Sequence, residues 1–238
     1  MGDVSILRTR GGIAVSGSAL DTYLEAIYVL HSEGEQVLSS RVADYLGVSR
    51  PTVSQTLQRL VGQGYVEVSD TRELVLTEEG RKRAEAIIRK HRLLERWLTD
   101  VLGLDWADAH VEAARLEGSI SPLVESKLNE MLNHPATCPH GNVIPGNGHA
   151  VPKGVGLDEA PPNTPLEVIR IVEVAEEDLE LLRFFHRTGL VPGETVQVHE
   201  PEPYAAGVTV TVREQTLSLD PAVAHRVQVR PKPMSQTA

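Results

Sequence analysis

The sequence predicts a mainly α-helical N-terminal part followed by a small C-terminal β-barrel, and three observations carry that prediction. Residues from about 19 to 131 repeat apolar side chains at helical spacing, whereas residues from about 166 to 231 alternate apolar and polar ones. Between them, 133–165 holds prolines at 135, 139, 145, 152, 161, 162 and 165 together with many glycines. Helical spacing buries one side of a helix and alternation buries one side of a strand, while a Pro/Gly-rich run supports neither. The chain of 238 residues has room for two or three small domains. No stretch approaches the roughly 20 apolar residues of a membrane helix. The opening MGDVSILRTRGGIAVSGS lacks the apolar core of a signal peptide and reads as a flexible arm, residues 1–18. A single cysteine, Cys138, excludes an internal disulfide framework and points to a reducing cytoplasm. The net charge of −10 argues against a protein that coats nucleic acid, but local DNA binding depends on where the charges lie.

Taken in order, DTYLEAIYVLHSEG predicts an amphipathic helix that turns Leu24, Ile27 and Tyr28 inward. LSSRVADYLGVSRPTVSQTLQRLVGQGYVEV then predicts two short helices around a glycine turn, with Ser40 capping the first and Ser49 the second, Pro51 standing in its first turn. Val53, Leu57, Leu60 and Val61 form the expected buried stripe of the second helix. YVEV and ELVLT flank SDTR as a hairpin, and TEEG opens a long helix over about Glu78–Leu102, its acids at the positive helix end. Helix, short helix, turn, helix and two-stranded wing make a winged helix-turn-helix. The exposed face of the second short helix carries no acid in a chain that is acidic overall. Ser49, Arg50, Pro51, Thr52, Ser54, Gln55, Arg59 and the wing-tip Arg72 are therefore the candidate DNA-binding residues. Gln can read adenine, Arg can read guanine, and the hydroxyls suit phosphates. The alternative is a solvated polar helix. Beyond it, SPLVESKLNEML, with Ser121 as cap and Pro122 in the first turn, is apolar enough for a homodimer interface or for packing on its own domain. LEVIRIVEV, ETVQVHE, GVTVTVRE, QTLSLD and HRVQVR are five strands, interrupted by a helix over about Glu176–Arg187.

Two spacings concern chemistry. His91 and Glu95, at i and i+4, interrupt the apolar stripe of the long helix, and His110 on the next helix is an available partner. Two imidazoles and a carboxylate suit Mn, Fe, Zn, Co or Ni, although a buried Glu–His hydrogen bond without metal has the same signature. In HVEAARLEG (110–118), His110 and Glu117 share a helix face with Ala114 and Gly118, neither of which can bind a metal. Nothing suggests a nucleophile elbow or phosphate loop, so no enzyme and no small organic substrate are expected.

YLEAIY (23–28), RPTVSQTLQRL (50–60), LTEEGRKRAEAIIRKHRLLERWL (76–98), HVEAARLE (110–117) and CPHGNVIPG (138–146) together resemble the diphtheria toxin repressor family of metal-dependent transcriptional regulators, including its manganese-sensing members. The resemblance implies a winged helix-turn-helix domain (19–84), a helical metal-binding and dimerisation domain (85–150), a linker (151–165), an SH3-like domain (166–231) and a tail (232–238). It implies one metal site of His91, Glu95 and His110 completed from the SH3-like domain, for which Glu177 and Asp178 in AEEDLELL are the expected contributors. A second site would draw on Asp21, Glu25 and Glu117, but Thr22, Ala114 and Gly118 stand where the family has ligands. With no sulfur ligand in these positions, Mn(II) is the expected metal and Fe(II) the next. The expected function is a homodimer that binds a double-stranded inverted-repeat operator when charged with metal. The alternatives are a DNA-binding dimer that no longer senses metal and, more remotely, a metalloenzyme.

Overall fold

The computed structural model describes residues 18–201 and 207–232. All of the expected N-terminal arm except Ser18, and the tail beyond Lys232, lie outside the described residues. Helix α1 (Ala19–Ser32) opens on a capping box in which Ser18 and Asp21 satisfy each other's backbone amides. Its inner face buries Tyr23, Leu24, Ile27 and Leu30. Helices α2 (Ser39–Leu46) and α3 (Arg50–Gly62) are joined through Gly47, whose φ of 65° is the left-handed conformation that ends α2. Ser40 is not the cap of α2, because the helix starts one residue earlier and Leu38 occupies the cap position without a side-chain hydrogen bond. Ser49 does cap α3, accepting from the Thr52 amide, and Pro51 sits in the first turn. The buried stripe of α3 is Val53, Thr56, Leu57 and Leu60, an i, i+3, i+4, i+7 set that leaves Val61 exposed. Strands β1 (Val66–Val68) and β2 (Leu74–Leu76) form the antiparallel wing.

Helix α4 (Glu78–Asp100) belongs to two cores. Ala84 and Ile88 in its first half complete the core of the winged helix-turn-helix. Leu94 and Leu98 in its second half pack with Ala109 and Ala113 of α5 (Trp106–Leu116) and Leu128 of α6 (Pro122–Met131). A 23-residue helix thus connects the winged helix-turn-helix to the helical domain.

The C-terminal domain is an antiparallel sheet ordered β3-β8-β4-β5-β6-β7. Its strands are β3 (Val155–Gly156), β4 (Pro165–Ile171), β5 (Thr195–Val198), β6 (Val208–Val212), β7 (Gln215–Leu219) and β8 (Val227–Pro231). The five expected strands are β4 to β8, and the stretch expected as linker supplies the sixth, β3, which pairs with β8. Among the described residues the terminal strands β3 and β7 do not pair with each other, so the SH3-like fold is an open sheet rather than a closed barrel. Helix α7 (Leu179–Thr188) begins three residues later than expected. Glu173–Ala175 forms a 3-10 turn instead, and Asp178 caps α7 by accepting from the Leu181 amide. A one-turn helix, α8 (Pro221–Ala224), precedes β8.

This domain is fastened to the other two. Trp106 and Ala107 of α5 are buried in its core. At the end of α1, Glu33 receives both Arg170 guanidinium nitrogens at 2.7 Å and the Glu173 amide at 2.8 Å. Arg92 of α4 donates to Glu173 at 2.6 Å. Because Ile88 is fully buried where α4 enters the winged core, Ile88→Ala should lower the unfolding free energy by about 2–5 kcal/mol. Urea denaturation checks this, and a loss below about 1 kcal/mol would mean that the α4 contact is not a core contact.

Candidate metal centre and DNA-reading face

Helical spacing places His91 and Glu95 one turn apart on α4, and packing of α5 against that turn brings His110 to them. His91 Nε2 lies 3.0 Å from Glu95 Oε1 and 3.2 Å from His110 Nδ1, and His110 Nδ1 lies 2.9 Å from the same Glu95 oxygen. The C-terminal domain contributes Glu176, whose carboxylate stands 3.8 Å from His110 Nδ1. A further imidazole comes from the loop after α6. His140 Nδ1 lies 3.1 Å from Glu176 and 3.6 Å from Glu95. This loop can lie close to β4 because residue 141 is glycine: φ is 92°, and a Cβ there would stand 2.3 Å from the Ile169 carbonyl. The Ile171 amide donates to the His140 carbonyl at 2.8 Å. Asn142 orients Glu176 through a 2.7 Å hydrogen bond.

All five side chains are buried, Glu95 and His140 completely. Glu95 Oε2 and both ring nitrogens of His140 are shielded from solvent without a properly directed hydrogen bond, which is costly unless something else satisfies them. Neighbouring ligand atoms around a six-coordinate ion with bonds near 2.1 Å sit about 3 Å apart, which is close to the spacing found here. The donor set of imidazole nitrogens and carboxylate oxygens therefore fits a divalent transition metal: His91, Glu95, His110 and Glu176 converge on one point, His140 adjoins them through Glu95 and Glu176, and these are the residues that would hold it. Cys138, completely buried, is grouped with Glu95 and His140. Burial and the Glu95 carboxylate push its thiol up.

The expected contributors Glu177 and Asp178 are not in this cluster. Asp178 is exposed and committed to the cap of α7. Glu177 faces another way and accepts from the Tyr45 hydroxyl at 3.2 Å. It lines a cavity of about 40 Å³ with Thr22, Glu25, Ala114 and Glu117. Glu117 also accepts from His91 Nδ1 at 2.7 Å. Asp21 is elsewhere, paired with Arg83 at 2.6 Å, and Gly118 is exposed. Sequence reasoning missed His140 and Glu176. The signal was CPHGN, in which His140 and Cys138 stand among prolines and look like an ordinary loop.

Charge in the cluster is mutually compensating. Burial alone would depress His91, but the Glu95 and Glu117 carboxylates hold it well above the usual imidazole range. Burial likewise opposes the charged form of His140, and Glu176 and Glu95 outweigh it. Burial would raise Glu95, but His140 and His91 hold it well below the usual carboxylate range. Glu25 is raised well above that range by burial and by Glu117.

Helix α3 leaves Ser49, Arg50, Pro51, Thr52, Ser54, Gln55 and Arg59 exposed. Arg72 occupies the wing turn with φ 63°. Ser49 Oγ and Thr52 Oγ1 lie 2.8 Å apart, which fixes the first turn of α3.

Residues 17–74 match the iron dependent repressor N-terminal DNA binding domain, 77–146 match the iron dependent repressor metal binding and dimerisation domain, and 155–231 match the FeoA domain. The iron-dependent repressor IdeR of Mycobacterium leprae is 39% identical over 220 residues, which cover 88% of this chain and 95% of that protein. The chain belongs to the iron-dependent repressor family. The diphtheria toxin repressor of Corynebacterium glutamicum is 36% identical over 88% of this chain and 94% of its own length. Among solved structures, a manganese-dependent transcriptional repressor in complex with manganese superposes with a TM-score of 0.78 at 28% identity, covering 90% of this chain and all of the other. The T. acidophilum IdeR structure gives 0.73 at 25% identity, covering 91% and 99%. The five-residue cluster is thus the candidate metal centre of a repressor-family protein, and no described helix is long and apolar enough to cross a membrane.

The charge state predicts a pH dependence. Raised histidines stabilise the metal-free fold fully below about pH 6.5 and lose that contribution as pH rises through their elevated values. The depressed Glu95 contributes above the ordinary carboxylate range and fails only as pH falls through its lowered value. Metal ligation requires neutral imidazoles, so Mn(II) affinity should rise at least about tenfold per pH unit between pH 6 and 8. Competition with a chelator of known affinity measures this, and a flat profile would contradict the protonated cluster.

Proposed function

We propose that the protein is a cytoplasmic, homodimeric repressor of metal-uptake genes that binds an inverted-repeat operator when charged with Mn(II), Fe(II) being the nearest competitor. The observation that carries this reading is the buried His91–Glu95–His110–His140–Glu176 cluster, which takes ligands from α4, α5, the loop after α6 and the C-terminal domain. A bound ion would supply the positive charge that draws the two carboxylates and three imidazoles together. Glu176 then ties the C-terminal domain to α4, and α4 carries the orientation of that helical core into the winged helix-turn-helix. A preference for the DNA-competent arrangement of about 2–3 kcal/mol gives a switch of roughly 30–150-fold. Manganese is favoured because the five side chains offer only nitrogen and oxygen. The recognition chemistry is on α3, where Gln55 and Arg59 read base edges and Ser49, Thr52, Ser54 and Arg72 meet phosphates. Neither turnover nor a small organic substrate enters this reading.

The dimer surface is the outer face of α6 with the end of α4. Val124 and Met131, at i and i+7, share a face and are 45% and 56% exposed, and Val101 and Leu102 are exposed as well.

Two measurements test the reading. Metal-stripped protein titrated with Mn(II) or anaerobic Fe(II) should gain operator affinity, and His91→Ala should lose that gain. If stripped protein binds as tightly as loaded protein, the chain is a DNA-binding dimer without metal sensing. The double variant Val124→Glu, Met131→Glu should sediment as a monomer and lose binding to the full inverted repeat; an unchanged dimer would move the interface elsewhere.

A further inference from the structure

Three aromatic rings meet beside the metal centre, and the hydrogen bonds of the cluster do not account for them. Trp106 is only 3% exposed in the first turn of α5, and His110 stands four residues on, so both project from one face of that helix. The Trp106 and His140 rings lie 4.7 Å apart between centroids at 83°, an edge-to-face pair. His186 of α7 stacks on the same indole at 5.2 Å and 4°. A ligating imidazole is normally held in its plane by a hydrogen bond from the ring nitrogen that the metal does not use. Neither ring nitrogen of His140 has a properly directed bond of that kind. The 2.8 Å bond from the Ile171 amide fixes only the His140 backbone. The last torsion of a histidine side chain has no sharp preference of its own, so packing against Trp106 limits the rotation of the ring.

We propose that Trp106 is a positioning residue of the metal centre: its indole holds the His140 ring in the orientation that directs Nδ1 toward Glu95 and Glu176. This deepens the metal-responsive reading above and rests on it. Helix α5 then serves the centre twice, with His110 as a ligand and with Trp106 as the support of another. The indole is itself fixed by the C-terminal domain, whose core holds it together with Leu181, Leu182 and Phe185 of α7. That domain thus supplies Glu176 directly and sets His140 through Trp106. An aliphatic side chain at 106 would bury apolar area equally well but would offer His140 neither a ring edge nor a ring face.

The test is Mn(II) affinity of the full, metal-stripped chain, by competition with a chelator of known affinity, arranged as a double-mutant cycle. Trp106→Leu should bind Mn(II) about 10–100-fold more weakly than wild type. Trp106→Phe keeps a ring against His140 and should recover most of the loss. In a His140→Ala background, Trp106→Leu should cause no further loss. Val210→Ala, at a fully buried position of the same core on β6, should unfold at lower urea without a change in affinity. Where Trp106→Leu does not fold, His186→Ala decides: loss of the stacked, half-buried ring should weaken binding severalfold, and wild-type affinity there overturns the role. Wild-type affinity in a folded Trp106→Leu, the same loss with His140 absent, or a comparable loss in Val210→Ala also overturns it. Wild-type affinity in His140→Ala beside a loss in His91→Ala overturns it too and leaves the metal-responsive reading standing. No bound ion in the wild type removes that reading, and the role of Trp106 with it.

Discussion

The carboxylate of Glu95 is the constraint on which the structure turns. It is completely buried, and three imidazoles surround it. An ionised carboxylate in such a place is tolerated only when positive charge and hydrogen bonds compensate for lost hydration, and removing one partner of a buried pair costs about 3–5 kcal/mol. Satisfying Glu95 therefore fixes the register of α4 against α5, the path of the loop that carries His140, and the approach of Glu176. Four separate pieces of chain are positioned by one charge.

That charge sits where it does because α4 is shared. Its first half closes the core of the winged helix-turn-helix and its second half forms the helical domain. His91 and Glu95 consequently stand on one continuous helix that both cores share. The C-terminal domain is bound to the same helix from the side, through Arg92 and Glu173, and to α1 through Arg170 and Glu33. The packed Trp106 adds an apolar anchor. These contacts tie the C-terminal domain to both α1 and α4.

Much of this could be read directly. Periodicity located the helices and strands because burial of one face leaves a repeating mark in the chain. Ser49 and Pro51 marked the start of α3 because capping chemistry is local. The His91–Glu95 spacing was equally visible, being a property of a single helix. Ser40 misled because two serines in succession, Ser39 and Ser40, offer alternative starts and α2 uses neither side chain as a cap. In AEEDLELL, three acids in a row gave no means to choose the one facing the cluster, and the 3-10 turn at Glu173–Ala175 shifted the choice to Glu176.

The sequence by itself determined the winged helix-turn-helix, the strands of the C-terminal domain in all but their closure, the exposed polar face of α3 and the His91–Glu95 pair on α4, all of which follow from short-range periodicity and capping. The tertiary structure alone decided which acid of 176–178 meets His110, that a proline-rich loop delivers His140, that Asp21 pairs with Arg83, and that Glu177 faces Glu25 and Glu117. Each of these joins residues far apart in the chain, and such pairings are set by packing between domains, which leaves no periodic trace in either segment.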